Sequence, residues 1–371
     1  MSLPTPIRPP VIKPFKTYVY KHVNNTKLYV DVYLPSTPNA GPLLVALYIP
    51  GGGWVSVNRA DYSRPLFHEL LSYNFVICYM DYRLSPETPF AEVKKDVMAV
   101  ETWVRDVLPS EMKKKAREVD GNKVVVLGGS AGGHLALLTP NLWKYPPSAI
   151  VSISAPTDMH NIPFLNRGRL STARCPIPNC TPVFLASATD YENPPSGFEI
   201  LQNAEDYERP RRYLGLRIFR EGIVSEVLLR GLVKDEDGKL RLPEKGSVTE
   251  QEIDDISPYH ICTKNYPPTC LVMGTEDEVF DLSHMLDFGK KLKCYDIQCE
   301  MIKAEGQGHA FDIWAEIDGE VHVKILRPAL KWISQVVGLG VGSSLTEDFF
   351  KVHQTKWKWN VVTASRAIAA T

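Results

Sequence analysis

The stretch VVVLGGSAGGH, residues 124–134, passes from an apolar run into two glycine pairs on either side of Ser130. An apolar run that leads through a turn into a helical segment is typical of a buried strand followed directly by a helix. In that context, the spacing G-x-S-x-G from Gly128 to Gly132 predicts a sharp, strained turn that lifts the serine hydroxyl clear of the sheet. Glycines are needed beside the serine because side chains there would collide with adjacent strands.

Around this turn, strand patterns alternate with helical patterns. Nearly continuous apolar runs, typical of strands covered on both faces, occupy residues 43–50 and 75–82, and residues 122–129 predict another buried strand. Further strands are predicted over residues 148–156, 269–275 and 297–305. Apolar residues at helical spacing fill residues 61–74, 92–108 and 131–143. Two alternating runs joined by the turn NNT predict a hairpin over residues 15–23 and 27–35. The order predicts an α/β fold, with a mostly parallel central sheet flanked by helices and a ligand site at the carboxyl ends of the strands.

One long interval interrupts the alternation. Residues 159–256 contain a proline-rich polar part and a helical part near residues 211–233, and Thr249 and Glu252 are spaced as a capping box. Because the interval begins at a strand end, we predict a large, mainly helical cap insertion over the site. A peripheral helical subdomain unrelated to the substrate is the alternative. The predicted divisions are two core parts at 15–158 and 257–338, the cap insertion at 159–256 and a C-terminal tail at 339–371.

Composition narrows the kinds of partner. The chain has 371 residues, 44% of them hydrophobic, and a formal net charge of −1, and its basic run is only Lys113–Lys115. We therefore expect a small-molecule substrate and neither nucleic acid nor membrane as a partner. The proline-rich start lacks the apolar core of a signal peptide and no run approaches the roughly 18 apolar residues of a membrane helix, which predicts a cytoplasmic protein.

The seven cysteines predict free thiols, because their number is odd and their spacing is not tightly repeated. Cys175 and Cys180, in CPIPNC, would suit a redox pair or half of a metal site. No second cysteine or histidine pair completes a zinc pattern. We therefore expect neither a metal nor a cofactor.

The serine hydroxyl needs a histidine base that is oriented by a carboxylate. In enzymes built around such a turn, the chain order is serine, acid, histidine. His309 follows GQG in a loop after the last predicted strand and is the candidate base. Asp277, just past the strand at 269–275, is the candidate acid, with Glu276 and Asp281 as alternatives.

The developing oxyanion needs backbone N–H donors that are already in place. One is expected from Ala131, directly after the serine. The others are expected from the glycine triplet Gly51 to Gly53 in PGGGW, where the absence of side chains lets the backbone approach a substrate oxygen. A flexible turn is the alternative for this triplet. Trp54 adjoins the loop and is a candidate substrate-binding residue.

Two other interpretations of the opening stretch are weaker. A glycine-rich turn between strand and helix can bind phosphate, but the lysine or the further glycine spacing of such loops is absent here. His134 lies four residues after Ser130 on the following helix, where we expect it to pack against the sheet.

With PGGGW, DYRLSPE, GGSAGGH, GTEDEVFD and GQGHAF, the chain resembles the α/β-hydrolase superfamily from about residue 15 to residue 337, apart from the insertion. Within it, the resemblance is to the branch of hormone-sensitive-lipase-like carboxylesterases and kynurenine formamidase-like enzymes. Similar single-chain enzymes with enlarged caps occur in fungal natural-product pathways. The resemblance implies that Ser130 is the nucleophile, Asp277 the acid and His309 the base. It also implies that Gly52, Gly53 and Ala131 are oxyanion donors, with Gly51 as a further donor.

The chain departs from this family pattern at two motifs. Pro50 replaces the usual histidine before the glycine triplet, so the loop must be braced in another way. The usual D-P-L-x-D is D-E-V-F-D, which keeps Asp277 and Asp281. In DYRLSPE, the resemblance implies a structural role for Asp81 and Arg83.

The sequence thus predicts a serine esterase that acts on a carboxylic ester of a small molecule. The alternatives keep the triad for acyl transfer, for lactone, thioester or amide cleavage, or for substrate cyclisation in secondary metabolism. An alternative of another class is a non-catalytic small-molecule-binding protein.

In the tail, Trp357 and Trp359 would share one face of an extended segment. Such a face is suited to docking on the body of the protein or on a second copy in a homodimer. A surface-packed or disordered tail is the alternative.

Overall fold

A computed structural model describes residues 12–36, 41–56, 59, 61–162, 179–197 and 210–338. Cys175 and the tail with its two tryptophans, considered above, lie outside these residues. The described strands are β1 Lys16–Val23, β2 Thr26–Tyr33, β3 Leu43–Ile49, β4 Phe75–Met80, β5 Val119–Gly129, β6 Ala149–Ile153, β7 Val233–Lys234, β8 Leu240–Arg241, β9 Thr269–Gly274 and β10 Cys299–Ala304.

Eight of these strands form one sheet in the order β1-β2-β4-β3-β5-β6-β9-β10. The β1–β2 hairpin and the β2–β4 pair are antiparallel, and the remaining neighbours are parallel. The predicted hairpin and the mostly parallel sheet are therefore confirmed. A separate antiparallel pair, β7 and β8, lies within the insertion.

Helices follow the strands as the apolar spacing predicts. They are α1 Arg64–Ser72, α2 Phe90–Thr102, α3 Leu108–Lys113, α4 Ala131–Leu142, α5 Pro182–Ala188, α6 Pro210–Glu221, α7 Val224–Arg230, α8 Glu250–Asp254, α9 Pro258–Ile261, α10 Ser283–Cys294, α11 Phe311–Trp314 and α12 Arg327–Val336. The predicted helix over residues 92–108 is divided, because a π-helical turn at Trp103–Val107 separates α2 from α3. Among the described residues, no helix combines the length and apolarity needed to span a membrane.

The central strands are covered on both faces, which explains their continuous apolar sequences. Successive residues of β3 and β5 point into two different cores: Leu47 and Val126 into one, and Tyr48 and Leu127 into the other. The described cysteines are all free thiols, as predicted, and five of the six are buried or partly buried inside or against these cores.

The insertion joins β6 to β9 and contributes helices α5 to α8 to the described structure. The predicted helical run near residues 211–233 is interrupted at Gly222, whose positive φ of 65° ends α6 before α7 begins. The predicted capping box is present, since Thr249 accepts from the N–H of Glu252 and the Glu252 carboxylate accepts from the N–H of Thr249. Helix α6 packs closely on the loop after β3, where a Cβ on Gly215 would lie 2.9 Å from Cγ2 of Val55.

Four loops that follow parallel strands meet at one edge of the sheet. They come after β3, β5, β9 and β10, and they carry the glycine triplet, Ser130, Asp277 and His309. Because parallel strands share a direction, their carboxyl ends bring together residues that are far apart in the chain.

Candidate active site

Ser130 occupies a strained turn between β5 and α4. Its backbone has φ 53° and ψ −126°, outside the regions that L-residues ordinarily adopt. Two hydrogen bonds hold the turn: the N–H of Ser130 donates to Ile153 at 2.8 Å, and its carbonyl accepts from the N–H of His134 at 3.0 Å. The turn presents the hydroxyl at the amino-terminal end of α4.

The glycines beside Ser130 are required by close main-chain contacts. A Cβ on Gly128 would lie 2.3 Å from the carbonyl oxygen of Gly132, and a Cβ on Gly132 would lie 2.0 Å from that of Ile49. The collision predicted with a neighbouring strand is therefore found at Gly132, which meets the end of β3. At Gly128, the obstacle is the first turn of the helix that follows.

His309 lies between Ser130 and Asp277. Its Nε2 is 3.0 Å from the Ser130 Oγ, and its Nδ1 is 2.9 Å from Oδ2 and 3.0 Å from Oδ1 of Asp277. With Asp277 ionised, the neutral ring carries its proton on Nδ1, so Nε2 accepts from the serine hydroxyl. The arrangement can remove a proton from the serine as it attacks an electrophile.

Asp277 is held in its ionised form. Its side chain is only 1% exposed. Burial raises its pKa, but the hydrogen bond and charge of His309 and the N–H groups of Val279 and Phe280, each 3.0 Å from Oδ1, outweigh burial and lower the pKa overall.

The two alternative acids do not reach His309. Glu276 and Asp281 are exposed, and a carboxylate oxygen of Asp281 accepts from the N–H of Ser283 at 2.9 Å. The structure thus brings Asp277, and neither alternative, to the histidine.

Two residues that the sequence did not indicate hold His309 in place. The carboxylate of Glu278 accepts from the backbone N–H of His309 at 3.0 Å. The ring of Phe280 meets the imidazole edge to face with 5.4 Å between the centroids. Both residues belong to the segment that supplies Asp277, but their side chains are identified as neighbours only once β9 and β10 are paired.

The glycine triplet forms a 3₁₀ turn beside Ser130. Gly52 and Gly53 have φ values of 76° and 59°, and Trp54 continues with 61°. A Cβ on Gly51 would lie 2.8 Å from the carbonyl oxygen of Gly129, so this loop contacts the serine turn closely. The N–H groups of Gly52 and Gly53 open the 3₁₀ turn and that of Ala131 opens α4, positions at which an N–H lacks an intrahelical acceptor.

Tyr82 braces this loop in place of the family's histidine. Its buried hydroxyl is 3.1 Å from the carbonyl oxygen of Pro50 and 3.0 Å from that of Gly51, both within donating distance. Tyr82 lies in DYRLSPE between Asp81 and Arg83, and the contacts of these two residues fit the structural role predicted for them. Asp81 accepts from the N–H of Tyr29, and Arg83 pairs with Asp96.

Arg211 of α6 links the insertion to the same loop. Its side chain is buried and donates from Nε to the carbonyl oxygen of Val55 at 2.7 Å and from Nη2 to that of Ser85 at 2.7 Å. Its Nη1 forms an ion pair with the buried carboxylate of Glu87. The sequence offered no signal for this pair, whose members lie 124 residues apart.

An aromatic group adjoins the glycine loop. Trp54 is fully buried, with its ring stacked 6.5 Å from that of Phe219 and at a right angle to that of His134 at 5.2 Å. Trp54 has no exposed surface, whereas the half-buried ring of Phe219 lies against the glycine loop, with its Cε2 2.8 Å from a Cβ placed on Gly53. The predicted contact between Trp54 and substrate stays a prediction.

His134 packs against the core, as expected from its position on α4. It is fully buried, and its Nε2 lies 2.7 Å from the carbonyl oxygen of Ile256. Burial lowers its pKa to about 4, so the ring is neutral at pH 7 and donates from Nε2.

Comparison with known proteins identifies the fold. Residues 30–144 match the BD-FAE family, and residues 228–340 match the prolyl oligopeptidase family. The native structure of Thermogutta terrifontis esterase 2 superposes with a TM-score of 0.55 at 21% identity, covering 89% of this chain and 94% of the esterase. The same esterase with bound propionate gives a TM-score of 0.54 at 22% identity, covering 86% and 94%. The chain therefore has the α/β-hydrolase fold.

Curated relatives by sequence include fungal synthases. The chain is 28% identical over 340 residues to the non-reducing polyketide synthase Preu6 of Preussia isomera, covering 86% of this chain and 15% of the synthase. It is 29% identical over 324 residues to the non-reducing polyketide synthase stbA of Stachybotrys bisbyi, covering 81% and 14%. The chain thus spans about one seventh of the length of these relatives.

Proposed function

We propose that this protein is a serine hydrolase that cleaves a carboxylic ester of a small molecule through an acyl-enzyme. The observation that carries the proposal is the continuous hydrogen-bonded series from the Ser130 Oγ through His309 to Asp277, with contacts of 3.0 and 2.9 Å. The strained serine turn that begins this series supports the same conclusion, because it exposes the hydroxyl at the edge where ligands bind.

The reaction proceeds in two stages. As the Ser130 Oγ bonds to the carbonyl carbon, His309 takes the hydroxyl proton at Nε2, and it returns that proton to the departing alcohol when the ester bond breaks. Water then attacks the acyl-serine, giving a proton to His309, and the carboxylic acid leaves as Ser130 is reprotonated. Asp277 keeps the imidazole oriented and stabilises the imidazolium.

The oxyanion is stabilised by N–H groups of Gly52, Gly53 and Ala131, with Gly51 as a further candidate. Each donor of this kind contributes on the order of 3 kcal/mol to the transition state. The positive end of α4 at Ala131 adds to the favourable potential.

We further propose that residues 159–256 form a cap over this site. Helix α6 supports this role, because Phe219 lies against Gly53 and Arg211 is bonded to Val55. The cap would therefore shape the acyl-binding side of the site directly beside the oxyanion loop.

The test is covalent labelling of Ser130. The solved esterase with the same fold is recorded as phosphorylated by paraoxon, so an organophosphate of this kind is a suitable probe. The parent chain should be labelled once, on Ser130, and should hydrolyse short p-nitrophenyl esters. S130A should lose both properties, whereas S110A, which removes an exposed serine hydroxyl, should keep them. Turnover by S130A at the parent rate would overturn the proposal.

A second candidate retains the acyl-enzyme and changes the acyl group or its acceptor. The likeness to non-reducing polyketide synthases favours an aromatic or polyketide-type acyl group held as an ester or thioester. The half-buried ring of Phe219, which lies against Gly53 of the glycine loop, suits such a group. Mass spectrometry of products from matched aryl esters and thioesters, with and without an amine or alcohol acceptor, distinguishes hydrolysis from acyl transfer.

A further inference from the structure

Two histidines and three carboxylates meet where the chain enters and leaves the insertion. His160 lies in the short 3₁₀ turn Met159–Asn161 directly after Asp158, while Asp254 ends α8 and His260 lies in α9. The two chain segments are already joined, since the N–H of Tyr259 donates to the carbonyl of Thr157 at 2.8 Å. We call this group of side chains the neck cluster: Asp158, His160, Glu250, Asp254 and His260.

All four imidazole nitrogens of the neck cluster face carboxylate oxygens. His160 Nε2 is 2.8 Å from Asp254 and its Nδ1 is 3.2 Å from Glu250. His260 Nδ1 is 3.4 Å from Asp254 and its Nε2 is 3.5 Å from Asp158. A neutral imidazole donates from only one nitrogen, so with neutral rings two nitrogen lone pairs would point at carboxylates. A cation shared by these lone pairs and a carboxylate removes that repulsion.

The spacing in the cluster suits a tetrahedral metal ion. The 3.5 Å between His260 Nε2 and Asp158 Oδ1 is long for a hydrogen bond. Two ligands about 2.0–2.2 Å from a tetrahedral zinc ion are separated by roughly 3.4 Å. One ligand atom from each of Asp158, His160 and His260 lies within 4.8 Å of the others.

We propose that Asp158, His160 and His260 bind one divalent transition-metal ion of the zinc type. Asp254 acts from outside the ligand set, accepting the N–H of the ring nitrogen that faces it on each histidine, as carboxylates do around histidine-bound zinc. Glu250, with a side chain 89% exposed, or water completes the coordination. The ion would fasten together the two ends of the insertion. This proposal is independent of the proposed function, because none of these residues belongs to the Ser130 site.

A second group, His68, Glu69 and His322, has comparable spacing but does not suit a cation. The Glu69 carboxylate already pairs with Arg327, and His322 Nδ1 accepts from the backbone N–H of Asp318 at 2.8 Å. The negative charge of Glu69 is therefore balanced by Arg327, and Nδ1 of the buried His322 ring already accepts a hydrogen bond. The contrast leaves the neck cluster as the stronger metal candidate in the described residues.

The test is titration of the metal-stripped full chain with Zn²⁺ by isothermal titration calorimetry. We expect one Zn²⁺ per chain, and H160N and H260N should each abolish this binding. D254N should weaken it about 10- to 100-fold, the usual effect of removing an outer carboxylate partner. H22N is the matched control, since His22 is an exposed histidine on β1, and it should bind as the parent does.

Two further measurements separate this site from other zinc ligands and from misfolding. H309N and C294S should retain the bound Zn²⁺, because neither residue belongs to the neck cluster. Zn²⁺ should raise the melting temperature of the parent and of H22N, but not that of H160N, with Mg²⁺ giving no rise in any of them. The proposal is overturned if the parent binds no Zn²⁺, or if H160N and H260N, folded by circular dichroism, bind it as tightly as the parent.

Discussion

Arg211 and Val55 join the insertion to the glycine loop through a 2.7 Å hydrogen bond from the guanidinium Nε to the backbone carbonyl. Val55 directly follows the 3₁₀ turn that holds Gly52 and Gly53. The same guanidinium also reaches Ser85, so it connects α6 to the loops after β3 and β4. The position of the insertion and the position of the proposed oxyanion donors therefore depend on one buried side chain.

Breaking the ion pair between Arg211 and Glu87 should be strongly destabilising. Both side chains are almost fully buried, and R211M would leave an uncompensated carboxylate, at a cost of about 3–5 kcal/mol in the free energy of unfolding. The double variant E87M/R211M should lose less than the sum of the two single variants. Urea unfolding of the four proteins measures this coupling, and strictly additive losses would contradict it.

Removing the Tyr82 hydroxyl should impair catalysis beyond its effect on stability. Y82F frees the carbonyls of Pro50 and Gly51, costs about 1 kcal/mol of stability and loosens the proposed oxyanion loop. We expect kcat for a short ester to fall about 10-fold, part of what one oxyanion donor contributes. Y79F is the matched control, because it removes a buried hydroxyl bonded to Asp61 instead; an equal fall in kcat for Y79F would argue against the role of Tyr82.

Replacing Asp277 should distinguish it from Asp281. D277N removes the carboxylate that fixes the proton on His309 Nδ1, and we expect kcat to fall about 10⁴-fold, as in other triads. D281N keeps an oxygen acceptor for the N–H of Ser283 and should leave kcat near the parent value. Steady-state kinetics on one p-nitrophenyl ester suffices, and a larger loss in D281N would reassign the acid.

Shortening Phe219 should widen the acyl preference. Its ring lies against Gly53, so F219A opens space beside the proposed oxyanion donors. We expect kcat/KM to rise for longer acyl groups relative to acetate, by about 0.8 kcal/mol or fourfold for each additional methylene that is buried. F184A alters a half-buried phenylalanine on α5 and should leave the chain-length profile unchanged.

His134 should make the protein less stable in mild acid. Burial lowers its pKa from 6.5 to about 4, so between these values the unfolded chain binds a proton that the folded chain does not. Stability then falls as the pH drops through that range, by about 2–3 kcal/mol at pH 4.5. Asp312 has the opposite effect on stability, because burial raises its pKa to about 6 and the folded chain then binds a proton more readily than the unfolded chain. The contribution of His134 must therefore be measured as the difference between two proteins that both contain Asp312.

Urea unfolding of the parent and of H134Q at pH 7.5 and 4.5 isolates the His134 contribution. Glutamine retains a donor for the carbonyl of Ile256, so the two proteins should differ mainly in their pH dependence. The parent should lose about 2–3 kcal/mol more than H134Q on acidification. Equal losses would show that His134 accepts a proton in the folded state.

The sequence was sufficient to predict the fold and the proximity of Ser130, Asp277 and His309. Buried strands have distinctive apolar runs, and in a parallel sheet the residues after such runs converge whatever their separation in the chain. The order serine, acid, histidine fits both Asp277 and Asp281, which stand in the same loop, so the choice of Asp277 depended on its place just past the strand and on the family resemblance.

The supporting contacts could not be predicted in the same way. Tyr82 braces the glycine loop across the β3–β4 pair, and Arg211 reaches Glu87 across 124 residues. Neither contact has a local periodicity or spacing. The neck cluster was missed for the same reason, since its histidines come from the two ends of an insertion and resemble no metal-binding motif.

The contact between Gly132 and Ile49 has a consequence for how such a protein can change its substrate. The first turn of α4 rests main chain against main chain on the end of β3, leaving no room even for a methyl group. The serine turn and the end of β3 are therefore held against each other by main-chain contact. Side chains of the proposed cap that make no contact with the glycine loop can therefore be exchanged to suit a new acyl group without disturbing this contact.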